Sequence, residues 1–258
     1  MRIDKYLAQN GYAKSREAAQ KLLSEGVLIV GGRRVKPSLD IDENSPPEIS
    51  LVGELPRYVS RGGLKLERAL EAFNIDVTGL DALDIGASSG GFTDCLLQRG
   101  AVRVRAVDVG HSQLDPKLAA DTRVVSYEGI NARNLTPEDI GGDCDIAVCD
   151  VSFISLTLIL PAVARILKRD GKFVGLIKPQ FEAGRQNIGK GGIVKNREVH
   201  VEVIDRVLTA ADALGLGCCG VTASPIEGGD GNREYLAYFV YGGVRTVDIK
   251  AITAAVYD

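Results

Sequence analysis

Acidic and basic side chains recur where the predicted strands of this chain begin or end, and three of them, together with a lysine on a predicted helix, could move a proton. Lys65 lies on a predicted helix, Asp150 and Lys178 each end a strand, and Glu234 begins the last one. Ligand sites in parallel sheets lie beyond the carboxyl ends of the strands. Taken singly, each residue is more simply a solvated lysine or a helix-capping carboxylate. Taken together, they predict a catalytic cluster.

A glycine-rich turn, Leu83-Asp-Ile-Gly-Ala-Ser-Ser-Gly-Gly-Phe92, follows a predicted strand and indicates a nucleotide site. Glycines allow a sharp turn and close approach of a ligand to the main chain. Asp108, at the end of the next strand, could accept two ribose hydroxyls, and Asp84 could reach a ligand's ammonium group. The negative charge of Asp84 favours S-adenosylmethionine, whose methionine end is cationic, over an anionic dinucleotide. The alternative is a tight turn that binds no ligand.

The predicted cofactor-binding residues are Asp84, Gly86, Ser88, Gly90, Gly91, Asp108 and, at the adenine edge, Asn131.

A second glycine-rich segment, Gly184-Arg-Gln-Asn-Ile-Gly-Lys-Gly191, resembles a phosphate-binding loop. That motif requires Ser or Thr after the lysine to bind Mg²⁺, and here a glycine follows. We therefore interpret the segment as a basic loop beside the active site, in which Arg185 and Lys190 contact RNA.

Strand and helix patterns alternate from about residue 58 onward, which predicts a mostly parallel α/β sheet covered on both faces. Only a loop separates the last two strands, so the last strand is expected to run antiparallel, as in Rossmann-like methyltransferase sheets. Predicted strands are 82–85, 102–107, 123–126, 146–149, 172–177, 219–223 and 235–240, and predicted helices are 64–73, 92–99, 155–168 and 198–214.

The first fifty residues predict a separate, small α+β unit. Two short helices, 3–10 and 15–24, precede a hairpin over 27–35 and a strand at 48–52, and Ser15 is a suitable N-cap. Residues 1–36 carry eight basic and three acidic side chains, although the whole chain has a net charge of −3. Such a segment predicts a face that binds a polyanion, with a solvated surface as the alternative.

These motifs resemble known families. Arg2-Ile-Asp-Lys-Tyr-Leu, Ser15-Arg-Glu-Ala and Val30-Gly-Gly-Arg-Arg-Val resemble the S4 type (alpha-L) RNA-binding domain. Arg57-Tyr-Val-Ser-Arg-Gly-Gly-Leu-Lys65, the Asp84 turn, Asp150-Val-Ser-Phe-Ile-Ser-Leu and Lys178-Pro-Gln-Phe-Glu resemble the hemolysin A (TlyA) family of FtsJ-like rRNA ribose 2′-O-methyltransferases. The resemblance covers residues 1–240. It implies an RNA-binding domain at 1–56, a linker at 57–61, a methyltransferase domain at 62–244 and a C-terminal tail at 245–258.

The resemblance also implies S-adenosyl-L-methionine as cofactor, ribosomal RNA or a ribosomal subunit as partner, and a K-D-K-E tetrad at Lys65, Asp150, Lys178 and Glu234. Lys178 would be the general base for a ribose hydroxyl, Asp150 and Glu234 would orient the two amines, and Lys65 would hold the hydroxyl or a phosphate. The expected RNA contacts in the N-terminal unit are Arg2, Lys14, Arg16, Arg33 and Arg34. Base methylation is disfavoured, because no Asp-Pro-Pro-Tyr follows the fourth strand and no Pro-Cys is present.

Other classes of protein fit the sequence less well. No signal peptide is recognisable, and Val151–Leu160, expected to be a buried helix, is too short to span a bilayer. Five cysteines without a Cys-x-x-Cys pair, together with two histidines, predict reduced thiols and no metal site. We therefore expect a cytoplasmic enzyme with no indicated oligomerisation. A membrane-active hemolysin and a non-catalytic RNA-binding assembly factor are the alternatives.

Overall fold

The computed structural model describes residues 1–13, 15–52, 56–228 and 231–257. The chain divides into two compact units, Met1–Arg57 and Tyr58–Asp258.

The N-terminal unit contains two helices and a two-stranded antiparallel sheet: α1 (Ile3–Gln9), α2 (Arg16–Glu25), β1 (Leu28–Val30) and β2 (Ile49–Leu51). The predicted N-cap of α2 is confirmed, because the Ser15 hydroxyl accepts the Ala18 N–H at 3.1 Å. Gly26 ends the helix in the left-handed conformation that glycine adopts at little cost.

The predicted hairpin is wrong in its second arm. Gly31 and Gly32 do form a turn with positive φ, but only Arg33 bridges back to Val30. The strand that pairs with β1 is β2 instead. The segment after Arg33 runs to the start of α1, where the Ile3 N–H donates to Leu39 O at 2.7 Å. These hydrogen bonds to the N-terminus replace the ladder that a hairpin would have needed.

Asp4 joins the two helices of this unit. Its fully buried carboxylate accepts hydrogen bonds from Arg2, from Arg16 Nε at 3.0 Å and from Gln20 Nε2 at 2.6 Å. Burial alone would raise the pKa of Asp4, but the hydrogen bonds from Gln20, Arg16 and Arg2 outweigh it and hold that pKa well below its usual range. Two of the predicted RNA-contacting arginines are therefore also structural partners of Asp4.

The second unit has the alternating order expected of an α/β fold. Its elements are α3 (Gly62–Ala72), β3 (Asp81–Ile85), α4 (Gly91–Gln98), β4 (Arg103–Asp108), α5 (Pro116–Ala119), β5 (Val124–Glu128), α6 (Pro137–Ile140), β6 (Cys144–Cys149), α7 (Leu160–Ile166), β7 (Leu167–Ile177), α8 (Pro179–Glu182), α9 (Arg197–Asp212), β8 (Leu216–Ala223), β9 (Tyr235–Tyr241) and α10 (Ile249–Tyr257).

These strands form one seven-stranded sheet in the order β5-β4-β3-β6-β7-β9-β8. The pairs from β5 to β7 are parallel, whereas β9 is antiparallel to both of its neighbours. The predicted fold class, a mostly parallel sheet whose last strand is antiparallel, is confirmed. Alternate strand residues pack into two apolar clusters: Leu83 and Ile85 lie in one, and Ala82 in the other. Because strand side chains alternate between faces, these clusters cover the two sides of the sheet.

Three segments differ from the sequence-based expectation. Most of the expected linker at 57–61 belongs to the second unit, which begins at Tyr58. The buried Tyr58 hydroxyl donates to Glu67 Oε1 at 2.9 Å. The expected tail at 245–258 contains α10, in which Ile252 and Val256 are fully buried. The helix expected over 155–168 is shorter, because residues 151–155 form a loop, a 3-10 turn follows, and Leu167 already begins β7.

Asp4→Asn should destabilise the N-terminal unit by about 1–3 kcal/mol, because it weakens charge-assisted hydrogen bonds to one buried group. Native-state hydrogen exchange of the α1 and α2 amides, in the full chain, measures this effect. Glu48→Gln alters an exposed acid of the same unit and should leave exchange unchanged.

The same network predicts that the stability of the N-terminal unit falls in acid. Because the folded-state pKa of Asp4 is depressed, its contribution is present above the ordinary aspartate pKa of about 3.9 and is lost as the pH falls towards the depressed value. Wild-type α1 should lose protection in acid more steeply than the Asp4→Asn variant. Equal acid sensitivity of the two proteins would contradict the proposed network.

Candidate active site

Four polar side chains converge at the carboxyl edge of the sheet in the second unit. Asp150 follows β6, Lys178 follows β7, and Glu234 precedes the antiparallel β9. Lys65 comes from α3. Lys65, Lys178 and Glu234 are all buried, at 8%, 7% and 3% exposure, so these charges are largely removed from water.

The four groups form one chain of alternating charge. Lys178 Nζ lies 2.5 Å from Asp150 Oδ1, and Lys65 Nζ lies 3.7 Å from Asp150 Oδ2. Lys65 also donates to Glu234 Oε2 at 2.6 Å. Each lysine therefore faces a carboxylate, and Asp150 lies between the two amines. Buried charges are tolerated when they are paired in this way.

Two further side chains extend this cluster. Lys178 Nζ donates to Ser152 Oγ at 2.9 Å, and Gln180 Nε2 donates to Glu234 Oε1 at 3.4 Å. Sequence reasoning missed both, although each lies within a motif that it had singled out: Ser152 two residues after Asp150, and Gln180 two residues after Lys178. Their proximity to the predicted residues was the available signal.

Beside this cluster lies a cavity of about 540 Å³, a size typical of small-molecule sites. Gly86, Ser88, Asp108, Asn131 and Asp150 are among its lining residues. Gly86 has φ 81°, and a Cβ there would lie only 2.8 Å from the Asp150 carbonyl oxygen. The glycine is thus required both by the turn and by the close approach of the loop that carries Asp150.

Asp108 presents a carboxylate to the cavity from the end of β4. Its Oδ2 accepts the Ser88 N–H at 2.8 Å and its Oδ1 accepts the Gly110 N–H at 2.7 Å. These bonds fix the orientation of the carboxylate, and each oxygen retains acceptor capacity. Asn131 lines the same cavity, while its side-chain oxygen accepts the Arg133 N–H at 3.1 Å.

Asp84 has a different position from the one expected. It is completely buried behind the turn, where its Oδ2 accepts a hydrogen bond from Thr93 Oγ1 at 2.6 Å, and it is not among the residues that line the cavity. Burial raises the pKa of Asp84 to about 7, although the hydrogen bonds from Thr93 oppose this shift. The bond from Thr93 ties Asp84 to α4, while its Oδ1 is buried without a hydrogen-bond partner among the described residues.

Gly90 and Gly91 also lie behind the cavity lining, at the start of α4. A Cβ on Gly91 would lie 2.9 Å from the Gly63 nitrogen, so the first turns of α3 and α4 are in close contact. Gly90 has φ 92° and packs against Leu118. Gly91 therefore lets α3, the helix that carries Lys65, pack closely against α4.

The predicted RNA-contacting residues are distributed over both units. Arg33 and Arg34 are exposed in the N-terminal unit, and Arg185 and Lys190 are exposed in the second unit. Arg2 and Arg16 are about half exposed despite their bonds to Asp4. Lys14 lies outside the described residues.

Within residues 1–13, 15–52, 56–228 and 231–257, no group of three or more His, Cys, Asp and Glu side chains is arranged to hold a metal ion. Over the same ranges, every helix is too short or too polar to cross a bilayer.

Comparison with known proteins gives matches to both units. The FtsJ-like methyltransferase family matches residues 58–241, and the S4 domain family matches residues 1–45. The chain is 43% identical to the 16S/23S rRNA (cytidine-2′-O)-methyltransferase TlyA of Mycobacterium tuberculosis, over 99% of this chain and 96% of that protein. It is 42% identical to hemolysin A of Brachyspira hyodysenteriae, over 93% of this chain and all of that protein.

A solved structure is similar along nearly the whole chain. A protein of Streptococcus thermophilus described as a candidate hemolysin has a TM-score of 0.79 at 45% identity, over 99% of this chain and 94% of that one. The chain therefore belongs to the FtsJ-like methyltransferase family, in the group that includes TlyA and hemolysin A, and it carries an S4 domain at its N-terminus.

Proposed function

We propose that this protein transfers a methyl group from S-adenosylmethionine to a ribose 2′-hydroxyl of ribosomal RNA. The observation that carries the proposal is the alternating chain Lys178–Asp150–Lys65–Glu234 at the edge of the Gly86 and Asp108 cavity. The name of the TlyA relative supports the same reaction and substrate class.

The cavity suits S-adenosylmethionine. Asp108 directs acceptor oxygens into it, as the two hydroxyls of a ribose require, and the Gly86 turn lets a ligand approach the main chain closely. Asp150 and Asn131 also line the cavity, and a single basic residue of its lining, Arg133, is poorly suited to a pyrophosphate. When bound, the cofactor supplies a methyl group on a positively charged sulfur.

Lys178 and Lys65 would have different roles toward the ribose 2′-hydroxyl that accepts the methyl group. Lys178 would accept at Nζ the proton that leaves the 2′-hydroxyl as the oxygen takes the methyl group, which requires that the amine has first given up its own proton. Asp150, 2.5 Å away, stabilises the ammonium that results. Glu234 fixes Lys65, which holds the hydroxyl or a neighbouring phosphate in line. Placement of the reacting oxygen supplies much of the acceleration, since correct orientation alone can be worth several kcal/mol.

RNA affinity would come from basic residues outside this cluster. The S4 domain presents Arg33 and Arg34 to solvent, and the loop after α8 presents Arg185 and Lys190. Cations of this kind bind phosphates and contribute salt-dependent affinity without taking part in the chemistry.

The proposal is tested with purified protein, tritiated-methyl S-adenosylmethionine and ribosomal subunits from cells that lack the protein. We expect label in the ribosomal RNA of at least one subunit. The same preparation should not release dye from liposomes. Liposome leakage without RNA labelling would favour the membrane-active alternative, and RNA binding without labelling would favour a non-catalytic assembly factor.

Lys178→Ala should slow single-turnover methyl transfer by about 10²–10⁴-fold, the usual contribution of a general base. Affinity for cofactor and RNA should stay within a few fold, because a base acts mainly in the transition state. Lys178→Arg should be nearly as slow, since a guanidinium does not lose its proton. The exposed Lys250→Arg on α10 is the matched control. If Lys178→Arg retains more than about a tenth of the rate, a difference under roughly 1.4 kcal/mol, the assignment of Lys178 as base is wrong.

Asp108→Ala should weaken cofactor binding by about 1.5–3 kcal/mol, the loss of hydrogen bonds to a charged group. Asp108→Asn keeps one acceptor oxygen and should lie between the wild type and Asp108→Ala. Titration calorimetry measures all three, with the exposed Asp143→Ala as control. Unchanged affinity of Asp108→Ala would remove Asp108 from the site.

A further inference from the structure

Two segments of the active site are joined by successive contacts. The Asp150 loop comprises residues 150–156, and the Lys178 segment comprises residues 178–182. At the start of both segments, Lys178 forms an ion pair with Asp150 and donates a hydrogen bond to Ser152. In the middle, the rings of Phe153 and Phe181 lie 5.2 Å apart, at an angle of 47°. At the far end Glu182 holds the last residues of the loop.

The Glu182 carboxylate makes two short hydrogen bonds to this loop. Its Oε2 accepts from Ser155 Oγ at 2.6 Å, and its Oε1 accepts from the Leu156 N–H at 2.6 Å. Its own carbonyl oxygen accepts from Arg206 Nη2 of α9, so the backbone of Glu182 is itself anchored. Burial raises the pKa of Glu182, while the bonds from Ser155 and Leu156 oppose that rise.

The loop needs an anchor because its centre is strained and exposed. Phe153 has φ 64°, a left-handed conformation that costs a bulky residue of order 1–3 kcal/mol. Its side chain is 91% exposed, so its own burial does not provide compensation. Such a conformation persists only if the flanking residues are fixed. On one side the Asp150 N–H donates to Ile85 O at 3.1 Å, and on the other side Glu182 fixes Ser155 and Leu156.

We propose that Glu182 is a positioning residue that sets the register of the Asp150 loop against Lys178. Glu182 does not touch the cavity or the amines. It acts through Ser155 and Leu156, and when it is removed the strained turn at Phe153 relaxes and Ser152 shifts relative to Lys178. The effect on catalysis rests on the proposed methyl transfer, whereas the effect on the loop does not.

The test compares three substitutions with the wild type in the full-length protein. Glu182→Ala removes both bonds. Glu182→Gln retains an oxygen for the Leu156 N–H and an amide that can donate to Ser155 Oγ. Ser155→Ala removes one of the two bonds to Glu182, together with the bonds between Ser155 Oγ and Thr157, and remains informative if Glu182→Ala fails to fold. Glu202→Ala, at an exposed position on α9, is the matched control.

Glu182→Ala should slow single-turnover methyl transfer at least about ten-fold, since small misplacements at a reacting centre cost up to about 10²-fold. Subunit affinity should stay within about three-fold. Cofactor affinity should fall by a smaller factor than the rate, although residues 150–154 of the loop line the cavity. Glu182→Gln should keep most of the rate, and Ser155→Ala should lie between. The double variant Glu182→Ala/Ser155→Ala should lose less than the sum of the two single effects, because the bond between Ser155 and Glu182 is already absent in Glu182→Ala.

Hydrogen exchange of the Leu156 amide supplies a readout that needs no methyl transfer. It should accelerate at least about ten-fold in Glu182→Ala and stay at the wild-type rate in Glu182→Gln and Glu202→Ala. The inference is overturned by unchanged exchange in Glu182→Ala, by an unchanged transfer rate, by a Glu182→Gln variant as slow as Glu182→Ala, or by a loss confined to subunit affinity. If the wild type itself transfers no methyl group, the proposed function fails, and the exchange data still decide whether Glu182 fixes the loop.

Discussion

The burial of two ammonium groups side by side is the constraint on which the active site depends. Lys65 and Lys178 are both largely shielded from water, and an unpaired buried charge would be costly enough to unfold the site or to neutralise itself. Asp150 lies between the two amines and Glu234 lies beyond Lys65, so every cation has an anionic neighbour. The four residues are far apart in the chain, and only the fold brings them together.

The sheet topology meets this constraint directly. Parallel strands β6 and β7 end at one edge, which delivers Asp150 and Lys178 there. Strand β9 runs antiparallel to β7, and its first residue, Tyr235, pairs with Ile177 at the end of β7. Glu234, just before β9, therefore lies at the same edge of the sheet as Lys178, just after β7. A parallel final strand would have placed its first residue at the opposite edge of the sheet. The antiparallel strand typical of this fold therefore has a specific consequence for the chemistry.

Much of this arrangement could be predicted from the sequence, because strand ends and tight turns have local signals. Gly86 in its turn, Asp108 at a strand end and Ser15 as an N-cap are each identified by residue type and position. The face on which a side chain lies was harder to predict. Asp84 is fully buried with a bond from Thr93, and it is not among the residues that line the cavity.

Contacts between distant residues were not predictable. The carboxylate of Asp4, inside a basic segment, pairs with Arg2 and Arg16, two arginines that are also expected to contact RNA. The paired hydrogen bonds of Glu182 likewise depend on two loops that meet only in the folded chain.

The central claim is that this cluster acts on a ribose hydroxyl and not on a base. It is tested most directly by incubating ribosomal subunits with the protein and S-adenosylmethionine that carries a trideuterated methyl group. The RNA is then digested to nucleosides and fragmented by mass spectrometry. We expect the labelled methyl group to stay with the ribose fragment. A label that stays with the base would contradict it.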